Sequence, residues 1–141
     1  DHSIMYVTKI NNAPVIKNKN NSNYLEYNKN LKLFSRMFDF WRRDIAKINK
    51  IIHKYDNVFI FGAHIFSQMI LFNGLNKDKI NGILDNDMQK VDNFLYGTNL
   101  KIFNPTVIKN LVKPCIILRA GTYNNEIKKQ LTRINKNIII V

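Results

Sequence analysis

The segment NVFIFGAHIFSQMILFNG, residues 57–74, carries the pattern of a strand, a tight turn and a helix. Residues 57–61 are mostly apolar, as in a strand that is covered on both faces. The turn GAH at 62–64 contains a glycine, and residues 65–73 form an apolar run that ends at Gly74, a residue suited to a helix C-terminal cap. The segment therefore predicts one β-turn-α unit.

The same alternation of strand and helix continues to the end of the sequence. Further strands are predicted at residues 79–84, 114–118 and 137–141, and further helices at residues 104–111 and 124–134. Residues 88–103 are predicted to be mostly loop. Because right-handed crossovers cover both faces of a parallel sheet, the pattern predicts an α/β domain with a Rossmann-like three-layer core and four mainly parallel strands in the order 2-1-3-4.

A long amphipathic helix precedes this core. Its apolar residues recur at steps of three and four: Leu31, Phe34, Phe38, Trp41, Ile45, Ile48 and Ile52. That spacing predicts a helix over residues 25–54, which together with the core forms one domain over residues 25–141. Residues 1–24 are predicted to hold a short strand at 3–10 and a polar linker, because lysine and asparagine dominate residues 11–23.

The composition excludes several classes of protein. The chain has 141 residues, of which 45% are hydrophobic, as expected for one globular domain. No run approaches the roughly 20 apolar residues of a membrane span, and the first residues lack the pattern of a secretory leader, so we expect a cytoplasmic protein that does not enter a membrane. The net charge of +12 is spread along the chain among asparagines, and we therefore expect no nucleic-acid partner.

Catalytic and metal-binding chemistry is also not expected. The single cysteine, Cys115, excludes a disulfide framework and a thiolate metal site and is expected to be buried in the third strand. No nucleophile with a paired base and no metal-ligand spacing is present, so we predict no catalytic residue and no metal ligand. Because the chain opens at Asp1, we expect it to be part of a longer polypeptide.

Candidate ligand-binding residues lie in the loops that follow the strands, because ligands of open parallel sheets bind at the carboxyl ends of the strands where the strand order reverses. The first loop contains Gly62, Ala63, His64 and Ser67. Of the three glycines of a dinucleotide fingerprint only Gly62 remains, since His64 and Ser67 occupy the other two positions, so ordinary NAD binding is not expected. The amides of the helix N-terminus can hold a phosphate or a carboxylate; alternatively, the loop is a simple tight turn.

Two further loops add polar side chains at the same edge. The loop after the second strand contains Asp85, Asn86 and Lys90. Asp85 either accepts hydrogen bonds from sugar hydroxyls or forms a turn through its own side chain. The loop after the third strand offers Thr122, Tyr123 and Asn124, preceded by Arg119.

The order of several short motifs resembles a known family. The motifs are FGA at 61–63, GILDN at 82–86 with Lys90, YGT at 96–98, FNP at 103–105, CIIL at 115–118 and YNNEI at 123–127. In this order they resemble the C-terminal domain of the sugar C-methyltransferases, which are S-adenosylmethionine-dependent nucleotide-sugar C-methyltransferases. The resemblance covers the chain from about Tyr24 onward.

In that family a zinc module and an S-adenosylmethionine-binding methyltransferase domain precede the terminal domain. The resemblance therefore implies a substrate-binding and interdomain module, used in deoxysugar biosynthesis for bacterial surface polysaccharide, with no cofactor and no catalytic activity of its own. It implies two partners, a nucleotide-linked sugar and the methyltransferase domain of the same parent chain, and it assigns sugar-nucleotide contacts to Gly62, His64, Asp85 and Lys90. Two alternatives stay open, the nucleotide-sugar-binding domain of an acyltransferase-type enzyme and a ligand-free structural or interaction domain.

Overall fold

A computed structural model describes the backbone of residues 21–141 and the side chains of residues 25–141. The predicted strand at 3–10 and the first part of the predicted linker lie outside the described residues. Contacts divide the chain into the units Asp1–Phe34 and Ser35–Val141. The second unit contains the whole sheet and every residue of the candidate site.

The elements alternate as the sequence predicts, except that the helix predicted at 104–111 is a short 3₁₀ helix and the strand predicted from residue 79 begins at Gly82. The helices are α1 (Asn21–Ile52), α2 (Ile65–Phe72) and α3 (Asn124–Ile134), with short 3₁₀ helices at Lys77–Lys79, Pro105–Ile108 and Gly121–Tyr123. The strands are β1 (Val58–Phe61), β2 (Gly82–Leu84), β3 (Ile102–Phe103), β4 (Cys115–Leu118) and β5 (Ile139–Ile140). All neighbouring strands pair in parallel, in the order β3-β2-β1-β4-β5. The α/β class, the parallel sheet and the leading helix are thus confirmed.

The sheet has five strands where four were predicted. The four predicted strands stand in the predicted relative order, and β3 is added at the edge beside β2. It comes from the segment predicted as loop, where Leu95, Leu100 and Ile102 are buried and Ile102 donates from its N–H to the Asn93 carbonyl at 2.8 Å. A two-residue strand stabilised by its own preceding loop has no apolar periodicity, and for that reason the pattern of the sequence missed it.

Each face of the sheet is covered by helices. On one face, buried residues of α1 and α2 pack against alternate strand residues: Ile45, Ile48, Ile52 and Ile70 with Val58, Ile60, Ile83, Cys115 and Ile117. On the other face, α3 packs against the intervening residues: Ile127 and Leu131 with Phe59, Phe61, Leu84, Ile116 and Leu118. The predicted three-layer core and the buried position of Cys115 are therefore confirmed.

The boundaries of the helices follow recognisable chemistry. Gly74 has a φ of +101° and ends α2 as predicted, with its N–H donating to Leu71 O at 3.2 Å and the N–H of Leu75 donating to Ile70 O at 3.0 Å. The leading helix begins at Asn21, four residues before the predicted start and inside the predicted linker. None of the helices between residues 21 and 141 combines the length and apolar character that a membrane crossing requires.

Candidate functional site

Three loops meet where the strand order of the sheet reverses. The chain leaves β1 to form β2 on one side of it, whereas β4 lies on the other side. The loops that follow these strands start at Gly62, Asp85 and Arg119. Because the strands are parallel, all three loops lie at the carboxyl edge of the sheet, the usual place of a ligand in such folds.

The turn after β1 is built on Gly62. This residue has a φ of +101°, a conformation that side chains with a Cβ rarely adopt, and its N–H donates to Leu84 O at 2.7 Å. Ser67 is 1% exposed, and its Oγ donates to the Gly62 carbonyl at 2.5 Å. The structure therefore places Ser67 beneath the turn as a structural group and directs its hydroxyl away from the surface.

His64 covers the turn from above. A Cβ built on Gly62 would collide with the imidazole of His64, so the ring occupies the space over the glycine. Its Nδ1 is buried and has no hydrogen-bond partner in the described part of the chain. Burial lowers the pKa of His64, opposed by the charge of Asp85 and reinforced by that of Lys90. The neutral imidazole is therefore favoured, and it fills the place where a phosphate would approach Gly62.

Asp85 ties the first two loops together. Its Oδ2 accepts a hydrogen bond from the N–H of Ala63 at 2.7 Å, and its Oδ1 accepts one from the N–H of Asp87 at 2.9 Å. The residue is 8% exposed. The carboxylate of Asp85 therefore forms the turn through its own side chain, which is one of the two roles that the sequence suggests. Its contact with sugar hydroxyls stays a prediction.

Lys90 lies next to this carboxylate and keeps hydrogen-bonding capacity. Its Nζ is 3.5 Å from Asp85 Oδ2 and 3.8 Å from Asp87 Oδ2, both longer than the about 2.7–2.9 Å of a strong charge-assisted hydrogen bond. The side chain is 42% exposed. An ammonium group with three donors in such loose ion pairs remains available to an anion.

A pocket of about 290 Å³ opens beside Lys90. It is lined by Ala63, Gln68, Gln89, Lys90, Asn93, Phe94, Leu95, Tyr96 and Ile102, and we refer to it as the Lys90 pocket. Its walls combine a cation, three amides and two aromatic rings. Such walls can bind a polar ligand that also has an apolar face.

The loop after β4 faces a second pocket. Arg119 donates to Asp44 Oδ2 at 2.9 Å and to Val141 O at 2.8 Å, and Asn124 Oδ1 accepts from the N–H of Ala120 at 2.8 Å. The second pocket has a volume of about 240 Å³. It is lined by Trp41, Phe66, Arg119, Gly121 and Asn124, and we refer to it as the Trp41 pocket.

The structure separates several of the predicted site residues. Ala63 and Lys90 line the Lys90 pocket, and Asp85 bonds to both. Asn86 instead exchanges two hydrogen bonds with Gln130 of α3, at 2.7 and 3.0 Å. Asn124 belongs to the Trp41 pocket, whereas Thr122 and Tyr123 are exposed in the 3₁₀ helix Gly121–Tyr123 and line neither pocket. Residues of these three loops therefore line two small pockets rather than one.

Other residues of the two pockets were not predicted. Gln89, Asn93, Phe94 and Tyr96 belong to the segment predicted as loop, where a sequence pattern does not indicate which side chains meet. Trp41 was predicted only as one of the apolar residues of the amphipathic helix. A tryptophan, which combines a large apolar ring with a polar N–H, is the one signal that could have indicated a pocket there. Within residues 21–141, no three His, Cys, Asp or Glu side chains are grouped to hold a metal ion.

Comparison with known proteins identifies one family. The model of a family described as the C-methyltransferase C-terminal domain matches residues 10–139 of the chain. No curated protein and no solved structure matches the chain significantly. The match spans nearly the whole chain and includes all three loops at the carboxyl edge of the sheet.

Proposed function

The chain belongs to the family of C-methyltransferase C-terminal domains, and on that premise we propose that it is the substrate-binding and interdomain module of an S-adenosylmethionine-dependent nucleotide-sugar C-methyltransferase. In this proposal the methyltransferase domain of the same parent chain binds S-adenosylmethionine and performs the transfer in the cytoplasm. This chain holds the nucleotide-linked deoxysugar and does not methylate by itself. The product serves surface polysaccharide synthesis.

The Lys90 pocket is the observation that carries the proposal. A nucleotide sugar has a charged diphosphate and a ring of hydroxyl groups, and the pocket offers a matching group for each. The ammonium of Lys90 can bind a phosphate oxygen, and the amides of Gln68, Gln89 and Asn93 can hydrogen-bond with hydroxyls. The rings of Phe94 and Tyr96 can pack against the less polar face of the sugar.

Exposed apolar side chains around this pocket support the interdomain role. Met88, Phe94 and Tyr96 are 67%, 60% and 86% exposed, and all three belong to the loop between β2 and β3. Large apolar groups that cluster on a surface mark sites where another protein surface packs. We propose that the methyltransferase domain covers this loop and closes the pocket over the sugar.

One observation favours a second candidate function. The imidazole of His64 occupies the space over Gly62, so the phosphate cradle of a nucleotide-binding turn is filled. This arrangement favours a ligand-free structural or interaction domain, in which the loops serve only to contact the methyltransferase domain. Membership of the family favours both of these functions over the acyltransferase alternative.

Calorimetric titration with dTDP-, UDP- and GDP-sugars tests the proposal, with S-adenosylmethionine and NAD as comparison ligands. Because the chain carries a net charge of +12, inorganic pyrophosphate at physiological salt should be included to measure nonspecific anion binding. We expect saturable binding of one nucleotide sugar. Absence of binding by the folded chain would contradict the substrate-binding role and support the interaction domain.

A matched pair of variants locates the binding. Lys90→Met should weaken nucleotide-sugar binding by about 10-fold or more, the value of a hydrogen bond to a charged group. Lys101→Met is the control, because the Lys101 side chain is also 42% exposed and is paired with Asp92, but it does not line the Lys90 pocket. Equal affinities of the two variants would place the binding elsewhere.

A further inference from the structure

A row of basic side chains lies on the outer face of α3. The buried residues Ile127 and Leu131 lie on the opposite side of the helix, against the sheet. The residues of the row are exposed and recur at steps of three and four, and they line an open groove of about 810 Å³: Asn125, Lys128, Lys129, Thr132, Arg133 and Lys136. We refer to these six residues as the α3 stripe.

The cations of the α3 stripe have no carboxylate partner within residues 25–141. Glu126, the acidic residue of α3, lies in the first turn, where its charge favours the helix dipole. The outer face of α1 differs, because its groove contains Asp44 among the basic residues and Asp39 pairs with Arg42. Positive charge is therefore uninterrupted along the α3 stripe, whereas on α1 it alternates with negative charge.

We propose that the α3 stripe binds an acidic helix of a separate partner protein. Lys129 and Arg133 are four residues apart, which corresponds to about 6 Å along the axis of a helix. Carboxylates at four-residue steps on a partner helix have the same spacing, so successive carboxylates can pair with successive cations. The aliphatic stems of the lysines can pack against the stems of the partner's glutamates while the charged groups meet above them.

The chemistry of the α3 stripe favours an acidic protein over other anionic partners. None of its six residues is aromatic, so it offers no ring on which a base of single-stranded RNA could stack. None of them is a large apolar residue that could insert into a lipid surface. A second copy of the chain does not match either, because it has 10 acidic residues against 22 basic ones. Five of these acids already pair with cations of their own chain: Asp39, Asp44, Asp85, Asp87 and Asp92.

The α3 stripe is distinct from the surface proposed for the methyltransferase domain. Helix α3 covers one face of the sheet, whereas α1 and α2 cover the other. The Lys90 pocket is lined from α2 and from the loop between β2 and β3, and no residue of the α3 stripe lines it. The inference therefore goes beyond the proposed function, and either can fail without the other.

Fluorescence anisotropy with a labelled helical peptide tests the inference. The probe has about 20 residues, enough for a stable helix, with a glutamate at every fourth position, and a glutamine peptide of the same design is the neutral probe. At physiological salt the screening length is about 8 Å, so charges scattered over the rest of the chain contribute little. We expect saturable binding of the glutamate peptide and none of the glutamine peptide. Absence of binding by the glutamate peptide would overturn the inference.

Two fourfold variants supply the matched comparison, each replacing three lysines and one arginine by glutamine at exposed positions. The α3 variant combines Lys128→Gln, Lys129→Gln, Arg133→Gln and Lys136→Gln. The α1 variant combines Arg43→Gln, Lys47→Gln, Lys50→Gln and Lys54→Gln. Glutamine has nearly the helix propensity of lysine and arginine, so both variants should fold, which circular dichroism checks.

The two variants lose the same charge from different surfaces. The α3 variant should bind the glutamate peptide about 10-fold or more weakly than the native chain, because several ion pairs are lost together. The α1 variant should remain within about threefold of the native affinity. Equal losses in the two variants would show that binding follows the net charge, and the inference would be overturned.

Other anionic probes decide the class of the partner. Single-stranded poly(U) RNA and phosphatidylglycerol vesicles are titrated with the native chain and with the α3 variant. We expect both to bind more weakly than the glutamate peptide. Tighter binding of either probe, lost in the α3 variant, would overturn the assignment to an acidic helix and identify a nucleic acid or a membrane as the partner.

Discussion

The Oδ2 atom of Asp85 accepts a hydrogen bond from the backbone N–H of Ala63 at 2.7 Å, so the residue that follows β2 holds the turn that follows β1. The other carboxylate oxygen accepts from the N–H of Asp87, which fixes the start of its own loop. Two loops that are 22 residues apart in the sequence are thereby positioned as one unit. This unit forms one side of the Lys90 pocket.

Asp85→Asn should destabilise the fold. An asparagine keeps only one acceptor oxygen, so either Ala63 or Asp87 loses its partner, and we expect the free energy of unfolding to fall by about 1.5–3 kcal/mol. Urea denaturation measures the change. Asp87→Asn is the control, because that side chain is 44% exposed and asparagine retains the acceptor for Gln89; it should change stability by less than about 0.5 kcal/mol. Similar losses in both variants would contradict the specific role of Asp85.

His64 should make stability depend on pH. Burial lowers the pKa of His64 in the folded state below its usual 6.5. The neutral ring therefore contributes stability above pH 6.5, and this contribution is lost as the pH falls through the folded pKa. The difference in unfolding free energy between the native chain and His64→Gln should decrease as the pH falls below 6.5. A pH curve for His64→Gln that is parallel to that of the native chain would refute the prediction.

Cys115 should be chemically inert in the folded protein. Burial raises the pKa of this thiol to about 11, so almost no thiolate is present near neutral pH. A disulfide reagent at pH 8 is expected to label Cys115 only after denaturant unfolds the chain. The neutral buried thiol stabilises the folded state below pH 9.0, the ordinary pKa of cysteine. This contribution is lost as the pH rises towards the folded-state pKa of about 11. Rapid labelling without denaturant would show that β4 opens or that the thiol is accessible.

The ion pair between Asp44 and Arg119 should couple α1 to the end of β4. The side chains are 32% and 30% exposed and their charged atoms are 2.9 Å apart. A double-mutant cycle with Asp44→Asn and Arg119→Met is expected to give a coupling energy of about 1 kcal/mol. The control cycle uses Asp39 and Arg42, which are 3.9 Å apart and 63% and 67% exposed, and should give a value near zero.

Asn86 should not contribute to nucleotide-sugar binding. Its amide exchanges two hydrogen bonds with Gln130, which directs it towards α3. Asn86→Ala is therefore expected to leave the affinity within about twofold of the native value, in contrast to Lys90→Met. Calorimetry of the two variants makes the comparison, with Gln130→Ala as a second control. A large loss of affinity for Asn86→Ala, without a similar loss for Gln130→Ala, would show that Asn86 contacts the ligand as the sequence predicts.

The elements of the fold that could be predicted from the sequence are those with an apolar pattern or a capping residue within one segment. The four apolar runs predicted four of the five strands, because parallel strands that helices cover on both faces have nearly continuous apolar sequences. The helix Asn124–Ile134 and the cap at Gly74 were also predicted, since periodicity and the conformational freedom of glycine act within one segment. The edge strand β3 has neither signal, because it is two residues long and depends on pairing with β2.

The sequence by itself determined the layers, the parallel sheet and the loops that meet at its carboxyl edge, because these follow from apolar patterning and from the handedness of crossovers. Only the tertiary structure decided which side chains share a pocket. In the folded chain the imidazole of His64 lies over Gly62, the amide of Asn86 hydrogen-bonds with Gln130, and the ring of Trp41 lies beside that of Phe66. The physical reason is that side-chain directions and contacts between distant segments depend on packing in three dimensions, which spacing along the chain does not specify.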